Sequence, residues 1–360
     1  MTPKLSQFVN CRILRNHKFI KEDIWVRDGK IVNPEKIFFD EKIQADIVID
    51  CKGLAIAPGF IELQINGGYG YDFRFVTEQR KSWSYFLLPN FSYFSTRCVS
   101  HSFTKNKTKK WRYKWCHNTR CTCRRAFYQP RKEGAHPAEC ILDYEKGISA
   151  IENLYGSLEN IKLITLAPEF NNSAQVIRSL TEKGIVVSLG HSTANLSQGE
   201  AAVNNGATFI THLFNAMLPF HHRDPGLVGL LASDNIPKNK SVYFGIIADN
   251  IHTHPAALRI AYRVHPNGLV LVTDAVSAHG LTEGTHKIGQ MNVEIRDKKA
   301  YVAGTNTLCG SIATMIECVQ LFVKSTGCTP EYALEAASLH PAQALGIEKT
   351  KGTLNFGADC

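Results

Sequence analysis

Two histidines and one aspartate carry the chemistry that can be read first. The apolar, β-branched runs Ile185–Leu189 and Ala207–Thr211 lead into His191 and His212, with a helical stretch between them, and a third run, Leu269–Thr273, leads into Asp274. Parallel strands joined by a helix present their C-terminal ends on one face, so imidazoles far apart in sequence converge there. Two imidazoles at one rim have the geometry of metal ligands, and a carboxylate on the same rim is placed to move protons. A lone histidine would read as a core or surface residue; three ionisable groups at three strand ends point to a site.

The elements that must position these groups alternate in type. Ile161–Leu166 is a strand, Ser173 caps a helix ending at Gly184, and Ile185 begins the strand before His191. A helix then runs to Asn205, and Val242–Ala248 forms a strand before Asp249. Further helices fall across Ala256–Val264 and within Ser311–Lys324 and Pro330–Ala337, while Ile148, Ile151 and Leu154 take helical spacing in Tyr144–Tyr155. With Phe60–Ile65 the strand count reaches six, and the alternation indicates an α/β parallel sheet covered by helices. A closed (β/α)8 barrel needs eight strands. Before Pro58, the short strands Phe8–Leu14, Ile24–Val26, Lys30–Val32, Ile47–Asp50 and Leu54–Ala57, with an Asp28-Gly29 turn, read as a small β domain.

Composition limits the alternatives. A chain of 360 residues, 44% hydrophobic, can bury a substantial core. It shows no apolar run of the ~20 residues that span a bilayer, and MTPKLSQ lacks the apolar core of a signal peptide. The expectation is a soluble cytoplasmic protein without a membrane partner, its 11 cysteines reduced. The net charge of +9 is local: Gln79–Lys132 holds 14 Lys and Arg, no Asp or Glu, and the tryptophans Trp83, Trp111 and Trp115.

Beyond these elements, PGFIELQINGG, LAPE, SLGHS, THLFNAMLPFHHRDPG, ADNIHTHP, VTDA, AGT and EAASLHPAQALG resemble the N-acetylglucosamine-6-phosphate deacetylases of the amidohydrolase superfamily, most closely the animal form. The match covers roughly residues 8–76 and 133–359. The resemblance implies a TIM-like barrel over 59–349 beside a β-sandwich built from 1–58 and 350–360, and hydrolysis of the acetamide of N-acetylglucosamine 6-phosphate. Gln64-Ile65-Asn66 stands where many amidohydrolases carry His-x-His, which implies one divalent metal per subunit, Zn2+, held by His191, His212 and a glutamate. Asp274 then serves as general base and afterwards general acid.

The same resemblance implies the substrate contacts. Ala135 and His136 meet the sugar, Arg223 and the backbone at Asn215-Ala216 bind the phosphate, and Leu308-Cys309-Gly310 lines the substrate where the family usually has Leu-Ser-Gly. His252 joins them from a neighbouring subunit, which implies a homodimer. Glu169 in LAPE sits at a strand end and orients loops without chemistry.

The glutamate ligand belongs to a third-strand motif, HxEGPF, that the chain lacks near Arg124. Asn118–Arg131, back-translated with permitted codons and read one base later, gives ILGVHVEGPFISR, and Ser82–His101 similarly gives VGVTSFCPTLVTSPPDVYH. Residues 79–132 therefore read as an out-of-frame translation in which barrel strands two and three are missing or corrupted. The family also continues past Cys360, so that end reads as truncated. Two other readings remain: an inactive splice form or paralogue lacking the ligand, and a basic nucleic-acid module in which Cys116, His117, Cys121 and Cys123 bind zinc. The second is disfavoured because the cysteine spacing fits no C-x2-C pair, and no nucleic-acid partner is expected.

Overall fold

The computed structural model describes residues 5–72, 121–123, 127, 129, 143–237, 239–288 and 291–360. They fall into two compact units, one built on Met1–Ile61 and Thr329–Cys360, the other on Glu62–Glu78 and Cys116–Cys328.

In the first unit, β1 (Leu5–Val9), β2 (Arg12–Arg15), β3 (Lys18–Lys21), β4 (Ile24–Arg27), β5 (Lys30–Val32), β6 (Ile47–Asp50) and β7 (Ala55–Ile56) make two sheets, ordered β5-β4-β1-β6 and β3-β2-β7. Asp28 and Gly29 both take positive φ, 52° and 72°, the pair a two-residue hairpin between β4 and β5 requires. Cys11, Ile13, Ile24, Ile31, Cys51, Leu354 and Ala358 share one buried cluster, so the end of the chain packs with its beginning. Backbone bonds from Ile31 N to Ala358 O and from Cys360 N to Gly29 O, both 2.9 Å, fix that closure. The helices at Pro330–Ala336 and Leu339–Ala344 also belong to this unit.

The second unit opens with the ribbon β8 (Gly67–Gly68) and β9 (Tyr71–Asp72). Its main sheet contains β10 (Cys121–Cys123), β11 (Ile161–Leu166), β12 (Val186–Leu189), β13 (Phe209–Ile210), β14 (Tyr243–Ile247) and β15 (Leu269–Val272), parallel throughout and in that order. All four residues of β15 and five of six in β11 are buried, as expected of parallel strands covered on both faces. Helices follow where the sequence places them: α1 (Ile148–Tyr155), α2 (Ser173–Glu182), α3 (Leu196–Asn204), α4 (Pro255–Val264) and α5 (Met315–Thr326). Capping boxes at Asn195 and Thr314 start α3 and α5.

Three features differ from the sequence expectation. Phe60–Ile65 does not form a regular strand; only Ile65 bridges Ala275 in parallel. The reason is local, since the Glu62 carboxylate accepts the backbone N–H groups of Gln64 (2.9 Å) and Thr273 (3.1 Å), donors that a ladder would otherwise use. The edge β10 lies in the segment expected to lack a barrel strand, yet it pairs in parallel with β11; the rest of residues 79–132, except Phe127 and Gln129, lies outside the described residues. An antiparallel sheet of β16 (Gly284–Ile288), β17 (Met291–Arg296) and β18 (Lys299–Val302) follows β15, around Ala278, Val293, Ile295, Ala300 and Cys309. Among the described residues no helix is long and apolar enough to cross a membrane.

Candidate active site

His191, His212 and Asp274 follow β12, β13 and β15, and all three backbones turn left-handed immediately after the strands, with φ of 49°, 26° and 50°. For residues other than glycine this conformation costs on the order of 1–3 kcal/mol each and persists only where surrounding contacts enforce it. Those contacts are present. The Glu169 carboxylate, at the end of the β11 chain, accepts Ser192 Oγ–H at 2.6 Å, Thr193 N–H at 2.6 Å and Thr193 Oγ1–H at 3.1 Å. Ser192 N–H donates to Ala216 O at 3.0 Å, tying the loop after His191 to the loop after His212. Glycine at 190 is required by proximity, because a Cβ there would stand 2.6 Å from Thr211 Cβ.

The two imidazoles meet. Their Nε2 atoms are 2.9 Å apart, the ring centroids 4.7 Å, and both residues are buried. Lone pairs on two ring nitrogens repel at this separation unless a proton or a cation lies between them. Tetrahedral metal sites with bonds of ~2.0–2.1 Å set ligand nitrogens about 3.3 Å apart, so the pair fits two corners of such a site with little adjustment. Among the described residues no third His, Cys, Asp or Glu completes a cluster. Arg124, beside the expected glutamate position, and the substrate candidates Ala135 and His136 lie outside the described residues.

Asp274 is oriented from the first segment of the unit. Asn66 Nδ2–H donates to Asp274 Oδ1 at 2.8 Å, while the Asp274 N–H donates to Gln64 O at 2.9 Å. Beneath it, Glu62 accepts Thr273 Oγ1–H at 2.7 Å as well as the two backbone donors. Burial pushes the Glu62 carboxyl up to about 7 against the pull of these bonds, and the Asp274 charge adds to the rise.

His252 is held within its own chain. Its Nδ1–H donates to Asp249 Oδ2 at 2.6 Å, and Asp249 Oδ1 accepts the N–H groups of Ile251 (2.9 Å) and His252 (2.8 Å). Burial works against a charged ring, but the hydrogen bond and charge of Asp249, joined by the charge of Asp274, outweigh it and raise the His252 pKa. Burial likewise opposes ionisation of Asp249, and His252 more than offsets it, holding that carboxyl below its usual range.

The remaining substrate candidates are placed unevenly. Arg223 is exposed and forms no ion pair among the described residues. The Asn215 N–H donates to His212 O at 2.9 Å, so this amide is engaged within its own turn rather than offered to an anion. Ala216 takes φ 49° in the same turn. Cys309 packs into the cluster under β17 and β18, its N–H donating to Ala300 O at 2.9 Å. Leu308 bridges Tyr301, and Gly310 at φ 73° lies so close to Val276 that a Cβ would stand 2.4 Å from Val276 Cγ1. Sequence reasoning missed Asp249 and Glu62; the Asp-Asn-Ile-His spacing, which permits a carboxylate to wrap its own turn, was the available signal for the first.

The Amidohydrolase family model matches residues 121–359. N-acetylglucosamine-6-phosphate deacetylases from Danio rerio and Homo sapiens are 53% and 50% identical to the chain, each aligned over 99% of it and over 91% and 90% of their own lengths. The crystal structure of N-acetylglucosamine-6-phosphate deacetylase from Pasteurella multocida superposes with a TM-score of 0.77 at 28% identity, covering 99% of this chain and 93% of that one. The parallel α/β sheet is thus that of an amidohydrolase. Within that class the chain belongs to the N-acetylglucosamine-6-phosphate deacetylase family.

Proposed function

We propose that the protein hydrolyses N-acetylglucosamine 6-phosphate to glucosamine 6-phosphate and acetate, with one divalent metal ion, Zn2+, held by His191 and His212. The observation that carries the reading is the convergence of the two Nε2 atoms to 2.9 Å at adjacent strand ends, in a chain half-identical to known deacetylases. The main sheet is read as part of a (β/α)8 barrel over 59–349, and the chain ends as a β-sandwich over 1–58 and 350–360.

An acetamide resists water because water is a weak nucleophile and an amine is a poor leaving group. His191 and His212 would hold the divalent metal, which when bound would supply Lewis acidity to lower the pKa of a water toward ~7 and polarise the acetyl carbonyl. Asp274 removes the proton from the attacking water. It returns that proton to the nitrogen as the C–N bond breaks, so the amine departs neutral and the acetyl group leaves as acetic acid, which gives up its proton to become acetate. Asn66 donates to Oδ1 at 2.8 Å and so orients the carboxylate that carries the proton. His252 and Arg223 supply charge-assisted hydrogen bonds to the 6-phosphate, with Asn215, Ala216 and Leu308-Cys309-Gly310 shaping the surrounding wall. Ala135 and His136 contact the sugar. A homodimer in the cytoplasm completes the proposal.

Chelation followed by zinc replacement tests it. Acetate release from N-acetylglucosamine 6-phosphate should vanish on chelation and return with zinc, and His212→Ala should prevent the return. Release that persists after complete metal removal would refute the metal-dependent reading.

A further inference from the structure

One buried carboxylate near the rim has no part in the chemistry above. Asp249 leaves β14 into the loop that carries His252, and both of its oxygens are engaged by that loop: Oδ1 by two backbone N–H groups, Oδ2 by the imidazole. Its side chain is 3% exposed and that of His252 13%. The loop between them is held further by Asn250, at φ 59°, whose Oδ1 accepts Ser325 Oγ–H at 3.2 Å.

This arrangement decides which histidine nitrogen is left for a ligand and what it can do. With Nδ1–H committed to Asp249, only Nε2 is left for a ligand, and Nε2 donates to an anion only when the ring carries both protons. Without the carboxylate, a ring this buried would shed its second proton and could donate to phosphate only as the uncharged Nε2–H tautomer, a weaker contact than the charged one. The other charged or titratable groups acting on the pair come from two elements. Asp274, after β15, adds a second negative charge toward His252. Cys318 on α5 lies close enough to Asp249 for that charge, with those of Glu62 and Glu317, to help keep its thiol protonated, although burial is the main cause.

We infer that Asp249 is a positioning residue that makes His252 a reader of the substrate's phosphate monoester: it holds the ring by Nδ1, keeps Nε2–H as the charged donor left for a ligand, and so sets the preference for a phosphorylated sugar. The inference rests on the deacetylase reading and assigns the source of substrate discrimination within it. Because both Asp249 oxygens are occupied, the residue acts through His252 and not on the reacting atoms.

The test is a double-mutant cycle on the zinc-loaded protein, with kcat and KM measured for N-acetylglucosamine 6-phosphate and for N-acetylglucosamine. Asp249→Asn should raise KM for the phosphorylated sugar at least about tenfold, the scale of one charge-assisted hydrogen bond, and leave kcat within about threefold. His252→Asn should do the same, the double variant should be no worse than either single one, and kcat/KM for the unphosphorylated sugar should not move. Equal losses on both substrates, or additive losses in the double variant, would overturn the inference. A wild-type protein that shows no preference for the phosphorylated sugar would instead defeat the underlying deacetylase reading.

Should Asp249→Asn fail to fold, inorganic phosphate decides the matter with wild type and His252→Asn alone. Its competitive inhibition of the wild type should weaken toward alkaline pH, where phosphate is dianionic and a ring without its second proton offers no charged donor, and should be flat in His252→Asn. A flat profile in the wild type would overturn the inference.

Discussion

Asn66 and Asp274 are 208 positions apart, and the Asn66 amide donates to the Asp274 carboxylate at 2.8 Å. The bond links the first segment of the second unit to the residue after β15, and it orients the carboxylate proposed as general base. Removing it should leave the base in place but poorly aimed. Asn66→Ala is expected to lower kcat about 10- to 100-fold with KM little changed, whereas Asp274→Asn removes the base and should cost about 100-fold or more. Steady-state kinetics on the two variants distinguish orientation from proton transfer.

Glu62 gives stability a defined pH dependence. Its carboxyl stands at about 7 in the folded protein against 4.5 for an unburied group. Between those values the folded state holds a proton that the unfolded state has released, so this group favours folding at low pH and progressively less as pH rises. Its contribution is fully present below about 4.5 and lost by about 7, a change on the order of 3 kcal/mol. Thermal unfolding across that window should show a falling Tm in the wild type and a flatter one in Glu62→Gln. The glutamine variant should also be less stable at the acidic end, because its amide nitrogen cannot accept one of the three donors from Gln64 and Thr273.

Gly190 sets how closely the chain leaving β12 approaches the chain leaving β13, the two segments that carry the proposed metal ligands. An alanine Cβ would fall 2.6 Å from Thr211 Cβ, a backbone-proximal atom that cannot swing away. Gly190→Ala should destabilise the fold by roughly 1–3 kcal/mol and reduce zinc binding, because the strands must separate to accept the methyl group. Denaturant unfolding and metal analysis of the same preparation report both effects.

Zinc affinity bears directly on residues 79–132. Only two of the proposed ligands, His191 and His212, stand among the described residues, and stable zinc sites ordinarily use three or four protein donors. Restoring the HVEGPF reading, with its glutamate, should tighten zinc binding by at least about tenfold and raise Tm in the presence of zinc. Nucleotide sequences of the transcript and genomic locus across Thr77 to Gly134 should contain compensating indels or a mis-joined exon.

The positions of His191, His212 and Asp274 were legible because a continuous apolar β-branched run ending in an ionisable residue has few other uses in a parallel sheet. The helices were legible from caps and periodicity, as at Asn195 and Thr314. What escaped the sequence were interactions in which a side chain replaces a backbone partner. Glu62 withdraws the Gln64 and Thr273 amides from any ladder, so an apolar stretch that reads as a strand is not one. The antiparallel β16–β18 sheet was missed although its signal was present: polar and apolar residues alternate along Met291–Arg296, and Asp297 and Lys298 both take positive φ in the turn. The unexpected partner was Asp249, whose role depends on an Asx-type turn that no hydrophobic pattern records.

The most direct measurement is acetate released from N-acetylglucosamine 6-phosphate by the zinc-loaded protein, with residues 79–132 as they stand and with that segment in the restored frame. The expected result is acetate and glucosamine 6-phosphate in equal amounts, strongest in the restored chain and lost on Asp274→Asn. No acetate from either chain, or undiminished acetate from Asp274→Asn, would contradict the proposed mechanism.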